Sequence, residues 1–265
     1  MNIWTQKSIE LAGQSNYLDL LYKIYPMSIN LRRELQPEVI KEIQTAFAKH
    51  DNTHLLKLLL SQEIFPIKDS YVAYLKRDKQ AIDRNPVTVE RLTGILHEMG
   101  IDEILDKATL PKETNRQIGP LFKRWIRSDA LGVKITESPA EMLSYSGNVI
   151  FDASDAAMLN FAKSHLGYVH GKGLDFIAKF NGKYVIGEAK FLTDFGGHQN
   201  AQYNDAITTM QTQLRTDTDV RSIAILDGVL YISGNNKMYR SITTEFGEDE
   251  IVISAVLLRD YLFSL

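Results

Sequence analysis

An asparagine–glycine pair between two runs of strand-forming residues constrains the fold of this chain more than any other feature. Asn181 and Gly182 separate residues 174–180 from residues 183–192, and both runs contain β-branched and aromatic side chains. A two-residue hairpin turn of type I′ needs positive φ at both central residues, which asparagine and glycine tolerate best. The pattern therefore predicts two antiparallel strands joined by a tight turn.

The turn also predicts which residues face each other. Counting outward from it pairs Phe180 with Lys183. The same count places Asp175 opposite Glu188 and, if neither strand contains a bulge, puts the two carboxylates on one face. Lys190 lies two residues beyond Glu188 and so projects from that face too. Two opposed carboxylates repel each other, which predicts a positive charge between them.

The chain of 265 residues contains no cysteine, so a thiolate nucleophile and a sulfur-ligated zinc or iron–sulfur centre are excluded. A hard cation such as Mg²⁺ prefers oxygen ligands and is the natural partner for Asp175 and Glu188. Lys190 beside that cation would orient or deprotonate a water, and together these parts suit hydrolysis of a phosphodiester. A cross-strand ion pair on a solvated sheet would use the same residue types, and that alternative stays open.

The rest of the pattern predicts a mixed fold. Residues 1–147 show mainly helical periodicity with helix caps, whereas strands and helices alternate in residues 148–265. We predict an α/β (α+β) fold in which helices flank a mixed sheet in the second region. Two further strands are expected at residues 221–226 and 229–232, around a turn at Asp227-Gly228.

Composition sets limits on the function. The hydrophobic fraction of 44% and charged fraction of 24% are those of a globular protein, and the net charge of −3 argues against non-specific coating of nucleic acid. No apolar run approaches the roughly 20 residues needed to span a bilayer. Residues 1–7 lack the basic and apolar regions of a secretory signal, so we expect a cytoplasmic protein.

The hairpin residues resemble the PD-(D/E)xK nuclease superfamily, and more narrowly the type II restriction endonucleases. The matching segments are residues 173–176 (GLDF), 186–191 (IGEAKF) and 192–202 (LTDFGGHQNAQ). Leu174 stands where many members have a proline. The superfamily motif covers about residues 150–235. The resemblance implies a restriction-endonuclease-like core that hydrolyses double-stranded DNA with Mg²⁺ and leaves 5′-phosphate and 3′-hydroxyl ends.

The resemblance also implies roles for the hairpin residues. Asp175 and Glu188 would bind Mg²⁺, with the carbonyl of Ala189 as a further ligand. Lys190 would position the attacking water.

Many members carry another acid on a helix before the aspartate strand. Asp155 is the candidate, on a helical stripe with Leu159 and Ala162 that we expect to face inward. A first-turn aspartate that only favours the helix dipole explains Asp155 equally well. Glu137 and Glu141 are weaker rivals.

Two polar segments are candidates for DNA contact. After the second hairpin strand comes a run with the donors and acceptors that read bases, namely His198, Gln199, Asn200 and Gln202. An ordinary loop and helix cap is the alternative. A basic stretch earlier in the chain offers candidates for phosphate contact, namely Arg116, Lys123, Arg124 and Arg127. A solvated basic helix face is the alternative there.

The leading hypothesis is a type II restriction endonuclease that acts as a homodimer, because a two-fold protein matches a palindromic site and cuts both strands. Residues 1–147 would then bind DNA, mediate dimerisation, or do both. Two alternatives use the same core: a structure-specific or repair nuclease, and a catalytically inactive DNA-binding protein. An unrelated α/β protein with a surface ion-pair cluster is the remaining alternative.

Overall fold

The computed structural model describes residues 1–14, 16–26, 34–110, 118–214 and 217–265. The chain forms two compact units, one made of Met1–Met27 with Glu113–Leu265 and the other of Ser28–Lys112. The boundaries between the compact units differ from the boundary between the predicted regions, residues 1–147 and 148–265. Helices near the start of the chain belong to the same unit as the sheet. That residues 1–147 bind DNA or form a dimer stays a prediction.

The first unit is built on a sheet that has six strands within the described residues. In chain order, which is also their spatial order, they are β1 (Lys134–Thr136), β2 (Val149–Phe151), β3 (Phe176–Phe180), β4 (Lys183–Leu192), β5 (Val220–Gly228) and β6 (Ile251–Ile253). β3 is antiparallel to both of its neighbours, whereas the remaining pairs are parallel. The predicted mixed sheet is confirmed.

The predicted hairpin is present. Asn181 and Gly182 have φ angles of 49° and 82°, as a type I′ turn requires. Phe180 pairs with Lys183, and the predicted register holds as far as Phe176 opposite Gly187. Beyond that pair the N–H of Asp175 donates to the Gly187 carbonyl at 3.0 Å, one residue away from the predicted register. The ladder therefore ends just before the predicted direct pair of Asp175 with Glu188.

Helices of the same unit cover β4 on both faces. Within the described residues, the α-helices of this unit are α1 (Ile3–Ala12), α2 (Tyr17–Ile24), α9 (Ile118–Arg127), α10 (Pro139–Ser144), α11 (Asp155–His165), α12 (Gly197–Met210), α13 (Lys237–Arg240) and α14 (Leu258–Phe263). Val185 and Ala189 join a cluster of buried side chains with α9, whereas Tyr184 and Ile186 join another with α11. Alternation along the strand thus buries both faces, as expected for a central strand.

The described residues of the second unit, 34–110, form helices that pack around an apolar core. They are α3 (Pro37–Ala48), α4 (Asn52–Leu60), α5 (Ser70–Arg77), α6 (Ala81–Arg84), α7 (Pro86–Met99) and α8 (Ile101–Ala108). α7 has the predicted form, with a proline at its first residue and Gly100, at φ 82°, as its C-cap. The helical character predicted for the N-terminal part is confirmed.

A helix that spans a membrane has to be both long and apolar. Within the described part of the chain, no helix meets both requirements.

The predicted turn at Asp227-Gly228, with a strand after it, is wrong. β5 continues through both residues, and Val229–Tyr231 then form one turn of 3₁₀ helix. The Asp227 carboxylate is buried and accepts hydrogen bonds from the hydroxyls of Tyr25, at 2.9 Å, and Ser254, at 2.5 Å. Burial raises the pKa of this carboxyl to about 6. These bonds hold Asp227 inside the fold, which the local sequence does not indicate.

Gly228 fixes the close contact between the ends of β4 and β5. Its φ is 99°, and a Cβ there would lie 2.1 Å from the carbonyl oxygen of Leu192. We expect Gly228→Ala to lower the free energy of unfolding by about 2 kcal/mol or more, because it adds both a backbone penalty and a clash. Urea unfolding measures the change.

Gly119→Ala is the matched control, since Gly119 lies in α9 and an added methyl group there would meet no neighbouring atom within 4 Å. It is expected to be neutral or to stabilise by up to about 1 kcal/mol. Equal destabilisation by the two variants would contradict the proposed role of Gly228.

Candidate active site

Three of the predicted residues meet at the end of the hairpin away from its turn. Lys190 Nζ lies 2.8 Å from Glu188 Oε1 and 3.2 Å from Asp175 Oδ2. The backbone N–H of Ala189 donates to the same Asp175 oxygen at 2.9 Å. Glu188 and Lys190 share one face of β4, and Asp175 directly precedes β3, so a single hairpin positions all three side chains.

The Lys190 ammonium supplies the positive charge that the two carboxylates require. The Glu188 side chain is only 4% exposed and the Lys190 side chain 23%. Burial by itself lowers the pKa of Lys190, but attraction to Asp175 and Glu188 outweighs it, so the pKa lies above its usual value. Lys190 therefore stays charged and holds the carboxylates together.

Glu188 has further partners that sequence reasoning missed. The Thr209 hydroxyl donates to Oε2 at 3.0 Å, and Lys172 Nζ lies 3.0 Å from Oε1. Lys172 also lies 2.8 Å from Asp205 Oδ2. Thr209 and Asp205 belong to α12, whereas Lys172 lies between α11 and β3. No motif in the sequence connects these residues with Glu188, because their proximity depends on the packing of α12 against β4.

The donor set of the site suits a small hard cation. Asp175 and Glu188 offer carboxylate oxygens that already converge on one positive group, the Lys190 ammonium. No group of three or more His, Cys, Asp or Glu side chains among the described residues could hold a metal ion. Mg²⁺ does not need such a cage, since it usually binds through one or two carboxylates, waters and substrate phosphates.

A cleft of about 540 Å³ opens beside Asp175. Its lining carries three basic side chains, all from α9, and two carboxylates, Asp155 at the start of α11 and Asp175 before β3; we call it the basic cleft. The lining residues are Gly119, Pro120, Lys123, Arg124, Arg127, Asp155 and Asp175. Residues three and four apart on a helix share a face, so α9 presents its three cations to the cleft while Phe122 and Ile126 are buried. Glu137 and Glu141, the weaker rivals of Asp155, are not among the described residues that line this cleft.

Two aspartates pair with the basic residues of α9. Asp155 is 83% exposed and lies 2.8 Å from Lys123, so its expected inward orientation is wrong. As the first residue of α11 it points out of the helix start instead of into the core. Asp152 is buried and forms an ion pair with Arg127. Sequence reasoning missed Asp152 because it follows β2, a strand of only three residues.

The polar run after β4 divides into two kinds of residue. Gln199 is buried and accepts a hydrogen bond from the Thr193 N–H, while the Asn200 amide donates to the Phe195 carbonyl. These contacts fix the loop. His198 and Gln202 lie one helical turn apart, with 3.0 Å between their polar nitrogens, and the His198 side chain is exposed.

One predicted phosphate contact cannot be placed. Arg116 lies outside the described residues.

Thr209 is expected to stabilise the buried Glu188 carboxylate. Thr209→Val keeps the shape but removes the hydroxyl donor, so we expect the free energy of unfolding to fall by about 1–3 kcal/mol. Urea unfolding of the two proteins measures this loss.

The neighbouring Thr208 provides the control, since it is exposed and its hydroxyl donates only to the Asn204 carbonyl of its own helix. Thr208→Val should change stability by less than about 0.5 kcal/mol. An equal loss of unfolding free energy in both variants would show that the hydrogen bond from Thr209 to Glu188 does not contribute to stability.

Comparison with known proteins identifies a family. The family model described as Tsp45I type II restriction enzyme matches residues 2–265. A search of curated proteins and a search of solved structures found no match. The matched range includes the hairpin, the basic cleft and both compact units. The resemblance to type II restriction endonucleases is confirmed, and restriction enzymes are nucleases that hydrolyse DNA. The chain belongs to the Tsp45I type II restriction enzyme family.

Proposed function

We propose that the protein is a Mg²⁺-dependent type II restriction endonuclease that cuts double-stranded DNA at a specific sequence and leaves 5′-phosphate ends. The observation that carries this proposal is the contact of Lys190 with both Asp175 and Glu188. These three residues supply oxygen ligands and a hydrogen-bond donor at one point. The basic cleft beside Asp175 would bring the DNA backbone to that point.

Asp175 and Glu188 are the proposed ligands of Mg²⁺. The Ala189 carbonyl is the third, because the N–H and C=O of one strand residue face the same side and the Ala189 N–H already contacts Asp175. When bound, Mg²⁺ supplies charge neutralisation at the scissile phosphate and a more acidic water. Lys190 then donates hydrogen bonds from Nζ to orient the attacking water.

The basic face of α9 is the proposed phosphate-binding surface. Lys123, Arg124 and Arg127 line the same cleft as Asp175, and phosphate contacts of this kind set the position of the duplex. Asp155 lies in the cleft too, where it is the proposed additional acid of the site. DNA phosphates would compete with Asp155 for Lys123 and with Asp152 for Arg127.

Base recognition is proposed for the start of α12. The exposed His198 and the half-buried Gln202 contact only each other through their side-chain nitrogens among the described residues, whereas the side chains of Gln199 and Asn200 bind the neighbouring loop. Glutamine can form two hydrogen bonds to adenine in the major groove.

A homodimer acting in the cytoplasm completes the proposal, because two copies related by a two-fold axis place one hairpin at each strand of a palindromic site. Residues 1–147 are proposed to contribute to DNA binding, to dimerisation, or to both.

Cleavage of phage DNA with Mg²⁺ tests the function. We expect discrete fragments from the wild type and a loss of rate on the order of 1,000-fold or more in Asp175→Asn, because a metal ligand is removed. Gel electrophoresis follows the cleavage, and sequencing of the ends identifies the site and the 5′-phosphate.

Asp249→Asn is the matched control, since Asp249 is exposed and far along the chain from the hairpin. It should cut at the wild-type rate. Undiminished cleavage by Asp175→Asn would contradict the proposed site. Cleavage confined to junctions or flaps would contradict sequence-specific restriction.

A further inference from the structure

The Lys172 ammonium is buried between two carboxylates at the edge of the candidate site. Its Nζ lies 3.0 Å from Glu188 Oε1 and 2.8 Å from Asp205 Oδ2. Lys172 comes from the segment between α11 and β3, and Asp205 from α12. The ammonium therefore links two elements through one oxygen of the proposed metal ligand Glu188.

Both oxygens of Glu188 are occupied. Oε1 contacts Lys172 at 3.0 Å and Lys190 at 2.8 Å, while Oε2 accepts the Thr209 hydroxyl at 3.0 Å. With 4% of the side chain exposed, Glu188 offers little free surface. A cation that binds Oε1 must therefore displace at least one of the two ammonium groups.

The two lysines differ in where they can move. The other partner of Lys190 is Asp175, which is itself a proposed metal ligand. The other partner of Lys172 is Asp205, which lies outside the proposed ligand set and is 56% exposed. Lys172 can thus leave Glu188 and stay paired with Asp205. If Lys190 left Glu188, it would stay paired with Asp175 and so occupy the other proposed carboxylate ligand.

We propose that Lys172 is a positioning residue that neutralises Glu188 in the absence of a divalent cation and shifts to Asp205 when such a cation binds. This inference rests on the proposed function, in which Glu188 is a metal ligand. Lys172 then competes with the cation, whereas Asp205 assists the cation by accepting the displaced ammonium. The two substitutions that remove these charges should have opposite effects on metal affinity.

Binding of Mn²⁺ to the purified full-length protein without DNA tests the proposal. Titration followed by electron paramagnetic resonance gives the dissociation constant without any measurement of activity. We expect Lys172→Met to bind Mn²⁺ about tenfold more tightly than the wild type, and Asp205→Asn about tenfold more weakly.

Two control variants distinguish an effect of the Lys172 charge on Mn²⁺ affinity from other effects of substitution. Lys172→Arg keeps the positive charge and is expected to bind Mn²⁺ like the wild type. Lys163→Met removes the charge of an exposed lysine on α11 and should leave the affinity unchanged. Thermal unfolding of each variant shows whether it is folded at the temperature of the titration.

The outcomes distinguish this inference from the proposed function. Weaker binding in both Lys172→Met and Asp205→Asn would mean that the pair only supports the structure, and would overturn the inference. Unchanged affinity in a folded Lys172→Met would overturn it as well. No binding by either the wild type or Lys172→Met would overturn the inference, because removal of the competing ammonium is expected to favour the cation. If Glu188→Gln binds Mn²⁺ as tightly as the wild type does, the metal site on which the proposed function depends is overturned instead.

Discussion

The Lys190 ammonium holds the carboxylates of Asp175 and Glu188 together, and the arrangement of the candidate site depends on this contact. Two like charges on adjacent strands repel each other, and the repulsion grows when the groups are buried. The protein balances this repulsion with Lys190, which lies on the same strand as Glu188. Thr209 and Lys172 complete the set of partners around Glu188, the most buried of the three hairpin side chains.

The surrounding fold covers this hairpin end on one side and leaves it accessible on the other. β4 is central in the sheet. A Cβ at Gly187 would lie 2.9 Å from the Ile223 carbonyl oxygen, so β4 packs closely against β5 at the residue before Glu188. α12 covers the buried side of Glu188 through Thr209. α9 lines the open side with basic residues in the cleft next to Asp175. Helices distant in sequence therefore create one protected and one accessible side.

The hairpin could be predicted from sequence because its signals are local. Asn181-Gly182 sets the turn, and strand alternation then places Glu188 and Lys190 on one face. The other contacts depend on long-range packing. Asp227-Gly228 is typical of a turn, yet burial against Tyr25 and Ser254 keeps it in β5. Asp152 and Lys172 follow no periodicity, since a three-residue strand and the segment before β3 place them, and only the folded chain shows their partners.

Family membership establishes a restriction enzyme, whereas the metal site rests on the geometry of one hairpin. Crystals of the protein with DNA and Mn²⁺ provide the sharpest test of that site, because anomalous diffraction locates the ion without assuming its ligands. We expect a peak at coordination distance from oxygens of both Asp175 and Glu188, about 2–2.3 Å away. A DNA-bound complex with its only manganese peak elsewhere would contradict the proposed site.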